Sequence, residues 1–300
     1  MKIEPKFVEF TTSDGLTLPG LLYGSKNSNK VAIYLHGNGS SSIFYDESEH
    51  KDLPNELNKK NISLLKFNNR GAHIIKKLNV KVGIAIERKM FGCAYEQIKE
   101  CVSDIDGAIK FLQSLGYEEF YLVGASTGAN KICVYNYYKP KNVFNKYILL
   151  CGGDDTGIYH SNLGKDKFDK LLKISLEKIK QGRGDELIKE LLPQEIFSYF
   201  GFYDIANPDG DYNCFPFLEA LGRAKLSTKP LFRYFQTIRK PSFVIYGEND
   251  EFSWEPKKVI EILRSYQPKF DYKLIKGADH RFTGKKKELA KAIANWIKPR

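Results

Sequence analysis

Phe120-Tyr121-Leu122-Val123-Gly124-Ala125-Ser126-Thr127-Gly128-Ala129-Asn130-Lys131-Ile132-Cys133-Val134-Tyr135-Asn136-Tyr137-Tyr138 is the stretch on which the reading of this chain turns. Its first four residues form an apolar run too short for a helix and rich in β-branched and aromatic types, which predicts a buried strand. The last ten carry apolar positions at Ala129, Ile132, Cys133, Val134 and Tyr137, which suit a buried helix. Between them, Gly124-Ala125-Ser126-Thr127-Gly128 forces a sharp turn with the serine at its tip. A side chain at either glycine would collide where strand and helix cross. Glycine and serine are common, so the pattern alone says little; its place between a strand and a helix gives it weight.

Working outward, apolar runs alternate with helical segments on both sides. A turn at Ser13-Asp14-Gly15 joins two β-like runs, 7–10 and 16–23, as a hairpin. Strands are expected at 31–35, 62–67, 146–151, 242–247 and 272–275. Helices are expected around Leu53 and Leu57, over 96–115 (closed by Gly116), over 256–266 and at the basic C-terminal end. The segment 72–95 is long and irregular and gets no assignment beyond a loop over one face. This alternation predicts an α/β fold with a doubly wound, mostly parallel sheet.

The alternation stops between Thr156 and Arg239. Helices are expected at 167–180 and, shorter, at 186–192. The rest is rich in aromatics (Phe197, Tyr199, Phe200, Phe202, Tyr203, Phe215, Phe217) and broken by Pro and Gly. The chain is therefore divided into a core, residues 1–155 and 240–300, and an inserted, mostly helical cap, 156–239. The cap's rings either pack on the core or line a pocket for a large or aromatic group.

Composition excludes several classes. The net charge of +11 rests on lysine, with nine Arg among 47 basic residues. Nucleic-acid surfaces favour arginine's bidentate and stacking contacts, so no nucleic-acid partner is expected. The excess reads as a solvated lysine-rich surface, or as a field that attracts an anionic substrate or membrane surface. Five cysteines without C-x-x-C spacing suit reduced thiols, and no metal site or cofactor is expected. No run of about 18 apolar residues occurs, and the first residues lack an apolar leader core, so no membrane span and a cytoplasmic location are expected.

A serine hydroxyl becomes a useful nucleophile when a base takes its proton and an acid orients the base. After Ser126, an acid and a histidine follow successive predicted strands: Asp250 beyond 242–247, and His280 beyond 272–275. Glu248 and Glu251 are the alternatives to Asp250; Asp279 is too close to His280 along the chain to face it. Charge developing on a carbonyl oxygen would need two fixed N–H donors. The backbone of Thr127 offers one, and the loop His36-Gly37-Asn38-Gly39-Ser40-Ser41-Ser42 offers the other, at Asn38 or at Gly39. His36 reads as a brace for that loop.

At these residues the chain resembles the α/β-hydrolase superfamily over essentially its whole length. Asn68-Asn69-Arg70-Gly71, Gly92-Cys93-Ala94-Tyr95-Glu96 and Cys101-Val102-Ser103-Asp104-Ile105 resemble, more narrowly, the small hydrolase family that includes the fungal siderophore esterases. That resemblance implies a serine esterase with a helical cap, no cofactor and a small-molecule ester substrate. Relatives usually place His before and Leu after the serine, and Thr at the position of Cys93; these departures leave the substrate class open. Thioesterase, amidase and C–C hydrolase chemistry would use the same three residues, and a non-catalytic receptor could use the same capped pocket.

Overall fold

The computed structural model describes residues 3–39, 42–45 and 51–298. Ser40 and Ser41 of the predicted loop lie outside the described residues. The antiparallel hairpin of β1 (Lys6–Thr11) and β2 (Thr17–Tyr23) opens the sheet. Then follow β3 (Lys30–Leu35), α1 (Asp52–Asn58) and β4 (Ser63–Phe67). After an outlying hairpin, β5 (Lys76–Val82) and β6 (Ala85–Phe91), come α2 (Cys101–Ser114), β7 (Glu119–Ala125), α3 (Thr127–Tyr138) and β8 (Phe144–Leu150). Helices α4 (Asp155–Leu163), α5 (Lys165–Lys180), α6 (Tyr199–Ala206) and α7 (Phe217–Ala220) intervene before β9 (Ser242–Gly247). The described chain closes with α8 (Pro256–Tyr266), β10 (Asp271–Ile275) and α9 (Lys286–Ile297).

The main sheet has eight strands in the order β1-β2-β4-β3-β7-β8-β9-β10. From β4 to β10 the neighbours pair in parallel, and β2 runs antiparallel to β4. Every residue of β4 and β9 is buried, as strands covered on both faces must be. Helix α1 packs on α9, and α2 on α3. Each fully buried Leu or Val in these strands contributes roughly 1.5–3 kcal/mol.

Two segments depart from expectation. The unassigned stretch 72–95 contains a regular β-hairpin. Gly83, at φ +61°, opens a two-residue turn between the paired Val82 and Ala85. The alternation Leu78-Asn79-Val80-Lys81-Val82 ahead of that glycine was the available signal. Of the helix expected over 186–192, only a single tight turn forms, at Lys189–Leu191. Leu187 instead bridges Ser198 in antiparallel fashion, with Ile188 N donating to Phe197 O and Tyr199 N to Glu186 O. Tertiary pairing overrides local helical preference there.

The aromatics of 156–239 largely pack against one another. Phe202, fully buried, sits among Phe168, Phe197 and Tyr159; Phe215 stacks on Phe217 and meets Phe235. Residues 198 and 204 are tied to the chain just ahead of α2. Ser198 N and Oγ both donate to Ala94 O, and Ile98 N donates to Asp204 Oδ2 at 2.6 Å. Among the described residues, no helix is long and apolar enough to cross a membrane.

Candidate active site

Ser126 sits between β7 and α3 at φ 54°, ψ −126°, a conformation that L side chains rarely adopt and that costs about 1–3 kcal/mol. The surroundings enforce it. Ser126 N donates to Leu150 O of β8, and Ala129 N donates to Ser126 O, both at 2.8 Å. A Cβ on Gly124 would stand 2.2 Å from Gly128 O, and one on Gly128 would stand 2.2 Å from Leu35 O of β3. The two glycines are thus required by close backbone approach, the first to the helix and the second to the neighbouring strand.

Ser126 Oγ lies 3.0 Å from His280 Nε2, and His280 Nδ1 lies 2.9 Å from Asp250 Oδ1. The structure therefore brings three of the five predicted residues, from the ends of β7, β9 and β10, into one hydrogen-bonded chain. Asp250 is buried; Oδ1 also accepts the Phe252 N–H, and Oδ2 has no hydrogen-bond partner. The alternatives have other partners. Glu251 Oε2 accepts the backbone N–H of His280, Glu248 Oε2 accepts that of Gly277, and Asp279 Oδ1 accepts that of Thr283. The Phe252 ring meets the His280 ring edge-on, with centroids 4.8 Å apart.

Thr127 opens α3 beside the serine and is fully buried. The loop after β3 packs against the same point: a Cβ on Gly37 would stand 2.8 Å from that of Ser126, with Asn38 the next residue along the chain. His36 holds this loop. Its Nδ1 donates to Gly37 O at 2.8 Å and its Nε2 accepts the Asn69 N–H at 3.2 Å, while burial, then Lys131, lowers its pKa to about 3. A neutral imidazole committed at both nitrogens braces the loop.

Several groups here escaped the sequence reading. Thr127 Oγ1 donates to Asp155 Oδ2 at 3.4 Å; burial raises the Asp155 carboxyl to about 6, with the charge of His280 opposing the rise. The Tyr212 hydroxyl is buried with no hydrogen-bond partner, and burial, then Asp155, raises its pKa. Cys151, at φ +47°, sets its thiol beside Asp250; burial, then that carboxylate, holds the thiol protonated. Cys151, Asp250 and His280 are the one group among the described residues whose ligand atoms could converge on an ion, lying within 4.8 Å of one another. Two of those three are already hydrogen-bonded to each other. All five cysteines are free thiols.

Behind the elbow lies a buried charged web built from the three segments that carried the family resemblance. Arg70 Nε and Nη2 donate to Asp104 Oδ1 at 2.9 and 2.7 Å, and Arg70 Nη1 also reaches Asp14 and Glu100. Lys131 of α3 pairs with Glu96 at 2.5 Å, both fully sequestered. A lone spacing signal in the sequence could not have joined these residues, since 34 positions separate Arg70 from Asp104.

Comparison with known proteins places this geometry in context. Solved structures with the same architecture include an esterase of Pyrococcus furiosus (18% identity, TM-score 0.57, covering 99% of this chain and 91% of that one). Est1E from Butyrivibrio proteoclasticus with ferulic acid bound matches at 14% identity and TM-score 0.62 (96% and 97% covered). The carboxylesterase CesB from Bacillus subtilis matches at 14% and 0.55 (99% and 93% covered). At these identities the likeness shows the fold, which is that of the α/β-hydrolases. No curated protein matches the chain in sequence. Residues 82–298 match the model of a family described as "Protein of unknown function (DUF1749)", and the chain belongs to that family.

Proposed function

We propose that this protein is a serine hydrolase that cleaves a carboxylic ester through an acyl-enzyme, with Ser126 as nucleophile, His280 as base and Asp250 as orienting acid. The observation that carries this reading is the unbroken chain Asp250–His280–Ser126, closed at 2.9 and 3.0 Å on a serine held in a strained turn. Ser126 Oγ attacks the ester carbonyl carbon while His280 Nε2 takes its proton. The carbonyl oxygen becomes an oxyanion, received by the backbone N–H groups of Thr127 and Asn38. On collapse, His280 returns the proton to the departing alcohol, leaving the acyl group on Ser126. Water, deprotonated by His280, then attacks the acyl carbon, and the carboxylic acid leaves as Ser126 recovers its proton. Asp250 stabilises the imidazolium in both halves. The esterase names of the structural neighbours support an ester over the other bonds this chemistry can break.

The division into a core, 1–155 and 240–300, and a cap, 156–239, belongs to the same proposal. The core does the chemistry, and the cap bounds the crevice and selects substrate. Its largest rings serve packing, so selection falls to the groups where the cap joins the core, next to Asp155, whose Oδ2 accepts the Thr127 hydroxyl. Fluorophosphonate labelling tests the reading directly. Wild-type protein should label and hydrolyse members of a p-nitrophenyl ester series, with iron-siderophore esters assayed alongside. Ser126→Ala should lose labelling and about 10⁴ to 10⁶ in kcat while melting normally. Undiminished hydrolysis by folded Ser126→Ala would end the proposal.

A further inference from the structure

The β5–β6 hairpin presents two unlike faces. Directly paired residues share a face, so Lys77 with Met90, Asn79 with Arg88, and Lys81 with Ile86 form one, while Leu78 with Lys89 and Val80 with Glu87 form the other. The second face meets the body at Val80, which is buried and bridges Leu16, and Lys81 N donates to Gly15 O; Glu87 and Lys89 on the same face stay exposed and pair with each other at 3.0 Å. The first face is exposed throughout and carries three cations, two apolar side chains and no acid. Ile86, on this face, is 70% exposed, and Ile84, in the turn, is 105% exposed; Val82 at the end of the other face is 44% exposed. Among the described residues, Lys77, Lys81 and Arg88 have no acidic partner. Exposed apolar side chains meet elsewhere too, as Phe7 and Phe44 do at 6.3 Å between ring centroids; at this hairpin tip they stand among cations that have no acidic partner.

We propose that this face docks on an anionic lipid bilayer, with Ile84 and Ile86 entering the interface and Lys77, Lys81 and Arg88 lying among the phosphate and carboxylate head groups. Charge complementarity decides the occupant. Isoleucine at the tip with lysine and arginine one step behind is the arrangement by which interfacial segments combine apolar burial with attraction to acidic lipid. Pairing with a second copy along β6 is disfavoured by Glu87, Arg88 and Lys89, charged residues of the kind that keep an edge strand single. Beyond the hairpin the chain enters Gly92 and Cys93, whose backbone N–H groups donate to Arg70 O and His73 O.

Co-sedimentation with vesicles tests this. Full-length protein should bind phosphatidylcholine vesicles containing about one-third phosphatidylserine at least tenfold better than phosphatidylcholine alone, and lose that preference in about 0.5 M NaCl, where the Debye length falls to a few ångströms. Ile84→Asp with Ile86→Asp should weaken binding about tenfold or more, as should Lys77→Glu with Lys81→Glu and Arg88→Glu. A control with the same charge change on α5, at the exposed Lys167, Lys170 and Lys173, separates this face from the general excess of lysine and should keep most of the binding. Melting temperature and fluorophosphonate labelling, neither of which involves the lipid, should be unchanged in all three variants. Equal binding to both vesicle types, equal loss in the α5 control, or a dimer in sedimentation velocity that Ile84→Asp dissolves would each overturn the proposal.

Discussion

Two segments leave the sheet at the carboxyl ends of its strands, the hairpin after β4 and the helices after β8, yet they treat apolar residues in opposite ways. The insertion α4–α7 turns its rings inward, and Phe202, Phe215 and Phe217 are at most 1% exposed. The hairpin β5–β6 leaves Ile84 and Ile86 in solvent and rings them with cations. An apolar residue in an insertion therefore says nothing of its use until its neighbours are known. Where other rings meet it, it is core; where nothing in the chain meets it and cations surround it, the proposed lipid surface gives it a partner.

The proposed reacting groups, Ser126, His280 and Asp250, lie in neither segment, so the largest expected effect lies outside both. Asp250→Asn should lower kcat by about 10⁴ by leaving the His280 tautomer wrong, while Glu251→Gln, which touches only the His280 backbone, should retain most of it. A collapse of the same size on changing an insertion residue, with labelling lost but cooperative melting kept, would break the comparison by moving part of the catalytic machinery into that segment.

Next in size is packing. Phe202→Ala should cost about 3–5 kcal/mol in denaturant unfolding, because three rings lose their shared neighbour. Ile84→Ser should stay within about 0.5 kcal/mol. Similar costs at the two positions would show that the hairpin tip is packed in solution after all.

A subtler effect reads the seam between insertion and core. Asp204 accepts the Ile98 N–H, and burial raises its carboxyl from 3.8 to about 7. A carboxyl raised on folding contributes stability that is complete below its unfolded pKa and is lost as pH rises through the folded one. The native protein should therefore lose stability between pH 4 and 7 on this account. Asp204→Asn keeps an oxygen for Ile98 and removes the titration, so the gap in melting temperature, variant minus wild type, should widen in the variant's favour from pH 4 to 8. A gap that is constant with pH would show that the seam is solvated.

Much of the molecule was legible from local pattern. The strand, Gly-x-Ser-x-Gly and helix around Ser126, and the acid and histidine after the next two core strands, are short-range features in which a few neighbouring residues dictate backbone shape. The order Ser126, Asp250, His280 then follows from the strand alternation, and these residues do meet. Only the tertiary structure decided the rest. Glu251 and Asp250 are interchangeable by position, and the three-dimensional turn after β9 aims one at the imidazole and the other at a backbone N–H. Arg70 with Asp104, and Lys131 with Glu96, are joined across long spans of chain, so burial and pairing could not be seen from spacing. The missing helix at 186–192 was settled by pairing with 197–199, a partner outside the segment itself. Backbone conformation is largely a local matter of sterics; which charges are sequestered and which apolar groups stay wet depends on what the folded chain brings against them.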